Sequence, residues 1–435
     1  MLLRHLHGVF TRRGLELAAV LTAVASLLAG VLIARMLGPS GRGQLVVVAT
    51  WGQALAWVGG LSVDKALMAR NSSDGRRQTD MPVASGLLVL LFLGGIVAIG
   101  SVFGSAEILA SPVMRVALAV AVLGTVAFDA RAAHLLVHDR WREFALLRFA
   151  QPATYLVGSL CAAALTAWHA AAGVHLFVVA LCLSLWAPAV FVGGLPRPRI
   201  VVPRKVEMRP MFAFAGGYHV GSVLSYLSSR IDLMVVSVYF SAADVGLYSV
   251  ASTMGQLAMM FGSANLIRGI TGKLKSTDHV DRGGLAAAGL LTLVVAGGAT
   301  WLLTHVYGPE FTAGGGLARW LCLGGLLFYL RHGFNGQLTG VGKPWATAAA
   351  NGIGVAGFLV FLPLMRTTTE VAVVSVAATA LSTAVAYLLL RHHTRHQAGE
   401  AGSVPATTAR DEEPVPVAAA PAVQPGVSTR HLLED

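Results

Sequence analysis

Runs of twenty or more largely apolar residues recur along the chain up to about residue 390, separated only by short polar segments. A helix needs about 20 such residues to cross a hydrocarbon core of roughly 30 Å. The helix is also the form that pairs its own backbone groups, whereas an open strand edge in lipid leaves them unpaired. The pattern predicts about twelve transmembrane helices, over about 14–36, 44–66, 82–106, 111–136, 144–168 and 172–195, then 211–238, 244–267, 284–306, 315–340, 344–365 and 369–390. They are numbered here as spans one to twelve. Composition agrees, since 55% of the 435 residues are hydrophobic and only 12% charged, far from a soluble fold. The first run follows Arg4, Arg12 and Arg13, as in a signal peptide. Its length, and the lack of a small-x-small cleavage site, predict a retained span instead.

The formal net charge of +11 does not point to nucleic acid, because the cations lie between spans, where anionic lipid and the insertion machinery read them. Loops on one side of the predicted spans carry Arg12 and Arg13, Arg76 and Arg77, and the set Arg197, Arg199, Arg204, Lys205 and Arg209. Loops on the other side carry Arg42 and Arg366 alone. Both termini are therefore expected in the cytoplasm of a bacterial cell, with the chain in its inner membrane. Cys161, Cys182 and Cys322 all fall inside spans and read as small core residues. From Gln397 the chain is rich in Pro, Ala, Val and acid, which predicts a disordered tail over 393–435.

A shift of 203 residues lays Thr50-Trp51-Gly52-Gln53 on Thr253-Met254-Gly255-Gln256, Gly43 on Gly246, and Gly14 on Gly217. One constant offset across such pairs indicates a duplication, with six-helix bundles over 1–203 and 204–392. Six spans separate the copies, so both enter the membrane in the same direction. Their pseudo-twofold axis then runs along the membrane normal, and sites in such proteins lie between the halves near the midplane.

Ionisable groups inside spans are costly unless they face a cavity or a partner. In span seven, His219, Ser222, Tyr226, Ser229 and Arg230 fall within roughly 100° of arc, and Ser225, Ser228 and Asp232 extend it on one flank. That division predicts one face lining water or substrate. Arg230 matches Leu27 under the repeat, so its charge is deep and not required by the scaffold. Arg148, Gln151 and Tyr155 share a face of span five. Arg131, His134 and His138 share one at the end of span four, and Arg331, His332 and Asn335 cluster in span ten. Snorkelling is the alternative for Arg131 and Arg148. Without a third ligand the two histidines imply no metal. Arg131, Arg148, Arg230 and Arg331 outnumber Asp129 and Asp232, so the interior is net positive and suits a phosphate or pyrophosphate held by guanidinium forks.

Several segments are familiar in sequence. Ala34-Arg35-Met36-Leu37-Gly38-Pro39-Ser40-Gly41-Arg42-Gly43 follows span one, and Arg230-Ile231-Asp232 leads to Val245-Gly246-Leu247-Tyr248-Ser249-Val250-Ala251. Tyr307-Gly308-Pro309-Glu310-Phe311 follows span nine, and Gly340-Val341-Gly342-Lys343-Pro344 joins spans ten and eleven. In order and spacing these resemble the Wzx-type oligosaccharide-lipid flippases of the MATE-like superfamily, over about residues 10–392. The resemblance implies an all-α fold of twelve helices in two bundles around a cationic cavity. Alternating access there moves a polyprenyl-diphosphate-linked glycan from the inner to the outer leaflet. It also implies no covalent chemistry, no cofactor, and partners in membrane lipid and in the glycosyltransferases and polymerase of the same pathway. Only Arg230 and Asp232 fall on a family motif. Tyr226, His219, Arg331, Arg148, Arg131 and Gln151 rest on the residue argument. A proton or sodium gradient as the driving force stays open. So do a drug exporter of the same fold and, from another class, a polysaccharide polymerase or ligase, although the latter needs a large outer loop.

Overall fold

The computed structural model describes residues 2–59, 111–137, 140–168, 173–192, 205–257, 282–340 and 343–402. Span three, the second half of span eight, the loop residues Arg70, Arg76, Arg77, Arg197, Arg199 and Arg204, and the tail beyond 402 lie outside them. The described elements are helical throughout. Among the described residues, six helices are long and apolar enough to cross a membrane, or seven if one bent pair counts as a single span. The chain is a multi-pass membrane protein.

Spans one and two form one continuous helical element, Leu2–Gly59, folded back at Gly38. Gly38 has φ 62° and ψ −173°, a left-handed φ that glycine adopts without a Cβ clash, and Pro39 follows it. A methyl on Gly30 would lie 3.8 Å from the Arg42 guanidinium. A straight helix rising about 1.5 Å per residue could not bring these two together. Next come span four (Pro112–Val137), span five (Trp141–Trp168), span six (Gly173–Phe191) and span seven (Lys205–Tyr239). Span eight begins as Ala242–Gln256, and its start is fixed by a capping box between Ser241 and Asp244. Thr367 and Glu370 exchange the same kind of bonds, at 3.0 and 3.2 Å, at the start of span twelve.

Span nine departs from a simple rod. Arg282–Gly297 and the segment Ala299–Tyr307 meet at an angle of 67°. The break falls on Gly298, beside Gly297, and the last turn, Leu303–Tyr307, is π-helical. Gly308, at φ 130°, then starts a 3-10 helix over Pro309–Gly314 that feeds span ten, Gly315–Gly340. Span eleven is Pro344–Phe361. Span twelve, Thr368–Gly402, continues past Gln397, where the sequence predicted the tail to begin. The added turn holds Gln397, Ala398, Glu400 and Ala401, good helix formers that outweigh Gly399 among them, and it ends at Gly402.

Two apolar cores share the folded-back hairpin. Ile33, Leu45 and Val48 pack with spans four to six. Ala34 and Val47 pack with residues of spans seven to twelve. Glycines allow close helix approaches. A methyl on Gly43 would overlap the Ala242 carbonyl, and a methyl on Gly246 would overlap the Pro39 carbonyl. These four positions are two pairs at the 203-residue offset, and the contact is reciprocal. Gly52 lies against Leu118 and Ala121 of span four, while its mate Gly255 lies against Leu321 of span ten, which is the mate of Leu118. Arg35 closes the hairpin end onto the π-helical turn, with Nε donating to the Val306 carbonyl at 2.7 Å and Nη2 to that of His305.

Candidate functional site

Span seven is where the sequence concentrated its polar residues, and tertiary contacts divide them between two faces. His219, Tyr226, Arg230 and Ser237 recur at helical spacing on one side. Tyr226 donates to the Thr50 carbonyl at 2.9 Å and stacks on Trp57 with ring centroids 5.6 Å apart. One turn on from Tyr226, Arg230 is partly exposed and donates from Nη2 to Gln256 Oε1 at 3.2 Å. Gln256 in turn donates to Ser252 Oγ at 3.1 Å. Lower on the same side, Trp51 donates to Ser237 Oγ at 2.9 Å. This face therefore looks from the second half of the chain onto span two of the first.

The other polar face looks inward. Ser228 accepts from Arg331 Nη1 on span ten. Asp232 is buried, accepting from Tyr248 Oη at 2.8 Å, Ser375 Oγ at 3.1 Å and the Leu233 amide at 2.7 Å. Each residue turns a helix by about 100°, so Asp232 lies about 160° round from Arg230. The expectation of one continuous polar arc through Ser228 and Asp232 is thus corrected. These two residues join the packing of spans seven, eight, ten and twelve. Ser229 and Ser237 satisfy themselves on the Tyr226 and Met234 carbonyls, at 2.7 and 2.6 Å.

The remaining sequence-predicted residues lie apart, and among the described residues no hydrogen bond or ion pair joins them to Arg230. Arg131 is buried, and both Nε and Nη2 donate to the Val192 carbonyl, at 3.0 and 2.9 Å. It caps the end of span six, where carbonyls have no helical partner. Arg148 is exposed, and its Cζ lies 5.6 Å from the Phe128 ring centroid and 5.5 Å from that of Phe144. Gln151, one turn along span five, is half-buried. Arg331 is enclosed within the second half at 0% exposure. The side chains of His134 and His138 lie outside the described residues. Among the described residues, no group of three His, Cys, Asp or Glu could hold a metal.

Gln256 and Ser252 were not singled out as site residues by the sequence. The signal was present in the repeated Thr-x-Gly-Gln tetrapeptide, whose last residue reaches Arg230 in the second copy while Gln53 of the first is exposed. Among the described residues, the arrangement offers a guanidinium with one neutral amide partner and no bonded carboxylate, on a face where Trp57 and Trp51 of span two meet span seven on either side of it along the helix. Such a surface holds an anion by charge-assisted hydrogen bonds and flanking sugar or isoprenoid groups by apolar and aromatic contact.

A family described as polysaccharide biosynthesis protein matches residues 15–264. Among solved structures, the chain is similar to an inward-facing multidrug resistance MATE family transporter of the MOP superfamily, with 14% identity over 88% of this chain and 99% of that one and a TM-score of 0.64. It is equally similar to the lipid II flippase MurJ in an inward closed conformation, with 13% identity, 87% of each chain covered and a TM-score of 0.64. An outward-facing form of a MATE family transporter gives 13% identity over 88% and 96%, with a TM-score of 0.56. At such identities these likenesses show the fold. No curated protein matches the sequence.

Proposed function

Because the chain belongs to the polysaccharide biosynthesis protein family, the Wzx-type flippases that its motifs resemble, we propose that it carries a polyprenyl-diphosphate-linked oligosaccharide from the inner to the outer leaflet of the bacterial cytoplasmic membrane. The family and the proteins that share the fold are transporters and flippases, so the chain is not an enzyme. The observation that carries the reading is the guanidinium of Arg230. It is partly exposed on the face between the halves and, among the described residues, is bonded to the neutral amide of Gln256 alone.

In this reading the diphosphate docks on Arg230, with His219 and Tyr226 on the same face, while the isoprenoid tail stays in the bilayer. Alternating access then swings the halves about the headgroup. The cytoplasmic placement of both termini and coupling to a proton or sodium gradient belong to the same proposal. A drug exporter is less well served. Organic cations call for a free carboxylate between the halves, and Asp232 is buried against Tyr248 and Ser375 instead.

The test is glycan export at matched membrane abundance. Removing one charged partner of a buried phosphate weakens binding by about 2–5 kcal/mol, so Arg230→Ala should insert normally and lose export. Arg230→Lys should restore only part of it, because an ammonium cannot reproduce the planar fork. Wild-type export by the alanine variant would sink the proposal.

A further inference from the structure

Span ten carries a second guanidinium in a very different setting. Arg331 is fully enclosed, at 0% exposure. Nη1 donates to Ser228 Oγ, and Cζ lies 4.1 Å from the Phe328 ring centroid. Nε and Nη2 are buried and bond to nothing in the protein. A guanidinium keeps its charge in proteins. One hydroxyl and one ring face do not cancel that charge, and no described carboxylate forms an ion pair with it. A buried charge left in this condition is strongly destabilising, so a counter-charge is called for.

The surroundings add donors rather than acids. Asn335, one turn on from Arg331, donates to Asn351 Oδ1 at 3.2 Å. That leaves Asn351 Nδ2 and Asn335 Oδ1 buried without a partner. Ser382 Oγ is in the same condition. Its Cβ would lie 2.8 Å from a methyl on Gly354, one turn along span eleven from Asn351. Arg331, Asn351 and Ser382 are all at 0% exposure. Spans ten, eleven and twelve thus bury polar side chains with unpartnered atoms, and among the described residues no carboxylate is bonded to any of them.

We propose that Arg331 binds a small monovalent inorganic anion of halide size on Nε and Nη2, inside the second half of the chain. One negative charge balances one guanidinium. A phosphate would bring more charge and more acceptor oxygens than these donors can satisfy, and full enclosure gives a lipid headgroup no way in. The site is separate from the Arg230 face, so its test does not depend on the transported substrate.

The full-length protein, purified in detergent, is unfolded thermally in sodium gluconate, with chloride or bromide replacing gluconate at constant ionic strength. A ligand bound only by the native state stabilises it by mass action. The wild-type Tm should therefore rise by roughly 2–5 °C to a plateau in either halide. Arg331→Gln should show no rise. A wild-type Tm indifferent to halide overturns the proposal, as does an Arg331→Gln Tm that still responds, or a response to phosphate alone. If Arg331→Gln does not fold, wild-type crystals grown in bromide decide the matter. An anomalous peak within hydrogen-bond reach of Nε and Nη2 supports the site, and no peak there overturns it.

Discussion

Ala29 and Leu45 are buried apolar residues of spans one and two. At the 203-residue offset their places are taken by Asp232 and Tyr248, which share a hydrogen bond of 2.8 Å. Phe128 and Arg148 stack in the first half, with the arginine exposed. Their counterparts Arg331 and Asn351 are both fully buried. Leu27 of span one becomes Arg230 of span seven. Against these exchanges, the glycine approaches repeat: Gly43 with Gly246, and Gly52 on Leu118 as Gly255 on Leu321. The halves have kept the positions that let backbones come close and have diverged in what they bury. Close backbone packing tolerates little volume change, whereas a buried polar group is tolerated wherever it finds partners. The second half has become the polar one.

The comparison breaks most visibly at its shared positions. Gly43→Ala and Gly246→Ala each drive a methyl into a backbone carbonyl, and both should lower stability by about 3 kcal/mol. Equal losses on thermal unfolding would support reciprocity, while a tolerated alanine at either site would refute it. Next in size, Asp232→Ala installs the residue of the first half but strands the hydroxyls of Tyr248 and Ser375. It should cost about 2–3 kcal/mol. The triple variant Asp232→Ala, Tyr248→Phe, Ser375→Ala should recover most of that loss, and a failure to recover would show that the carboxylate has a role beyond packing. The smallest effect belongs to the first half. Arg148→Met keeps the stem against Phe128 and Phe144, and its Tm should stay within the equivalent of about 1 kcal/mol. A larger loss would mean that the exposed arginine is as deeply committed as Arg331.

The succession of spans was legible because lipid imposes one length and one backbone form. The bend in span nine was not, although Gly297-Gly298 marked the place, because an apolar run reads the same straight or broken. The place of Arg230 on a polar side of span seven was legible from helical periodicity. The division of span seven into two faces depends on partners distant in sequence, such as Ser375 for Asp232 and Arg331 for Ser228. Periodicity along one helix places residues around its axis without saying which neighbours meet them. Arg131 looked like a cavity residue for the same reason, since its acceptor, the Val192 carbonyl, is a backbone atom that no residue pattern reveals.

The meeting of Gly43 with Ala242, and of Gly246 with Pro39, has a bearing on ancestry. A patch that touches its own copy reciprocally satisfies the requirement of an isologous twofold interface, in which i meets j and j meets i. Before the gene doubled, a half-length ancestor carrying these residues already possessed a surface complementary to itself. Fusion then needed no new interface, only a connecting segment between two subunits that were already partners. Once joined, the subunits were free to stop being identical, and one of them could bury more polar groups while both kept the seam.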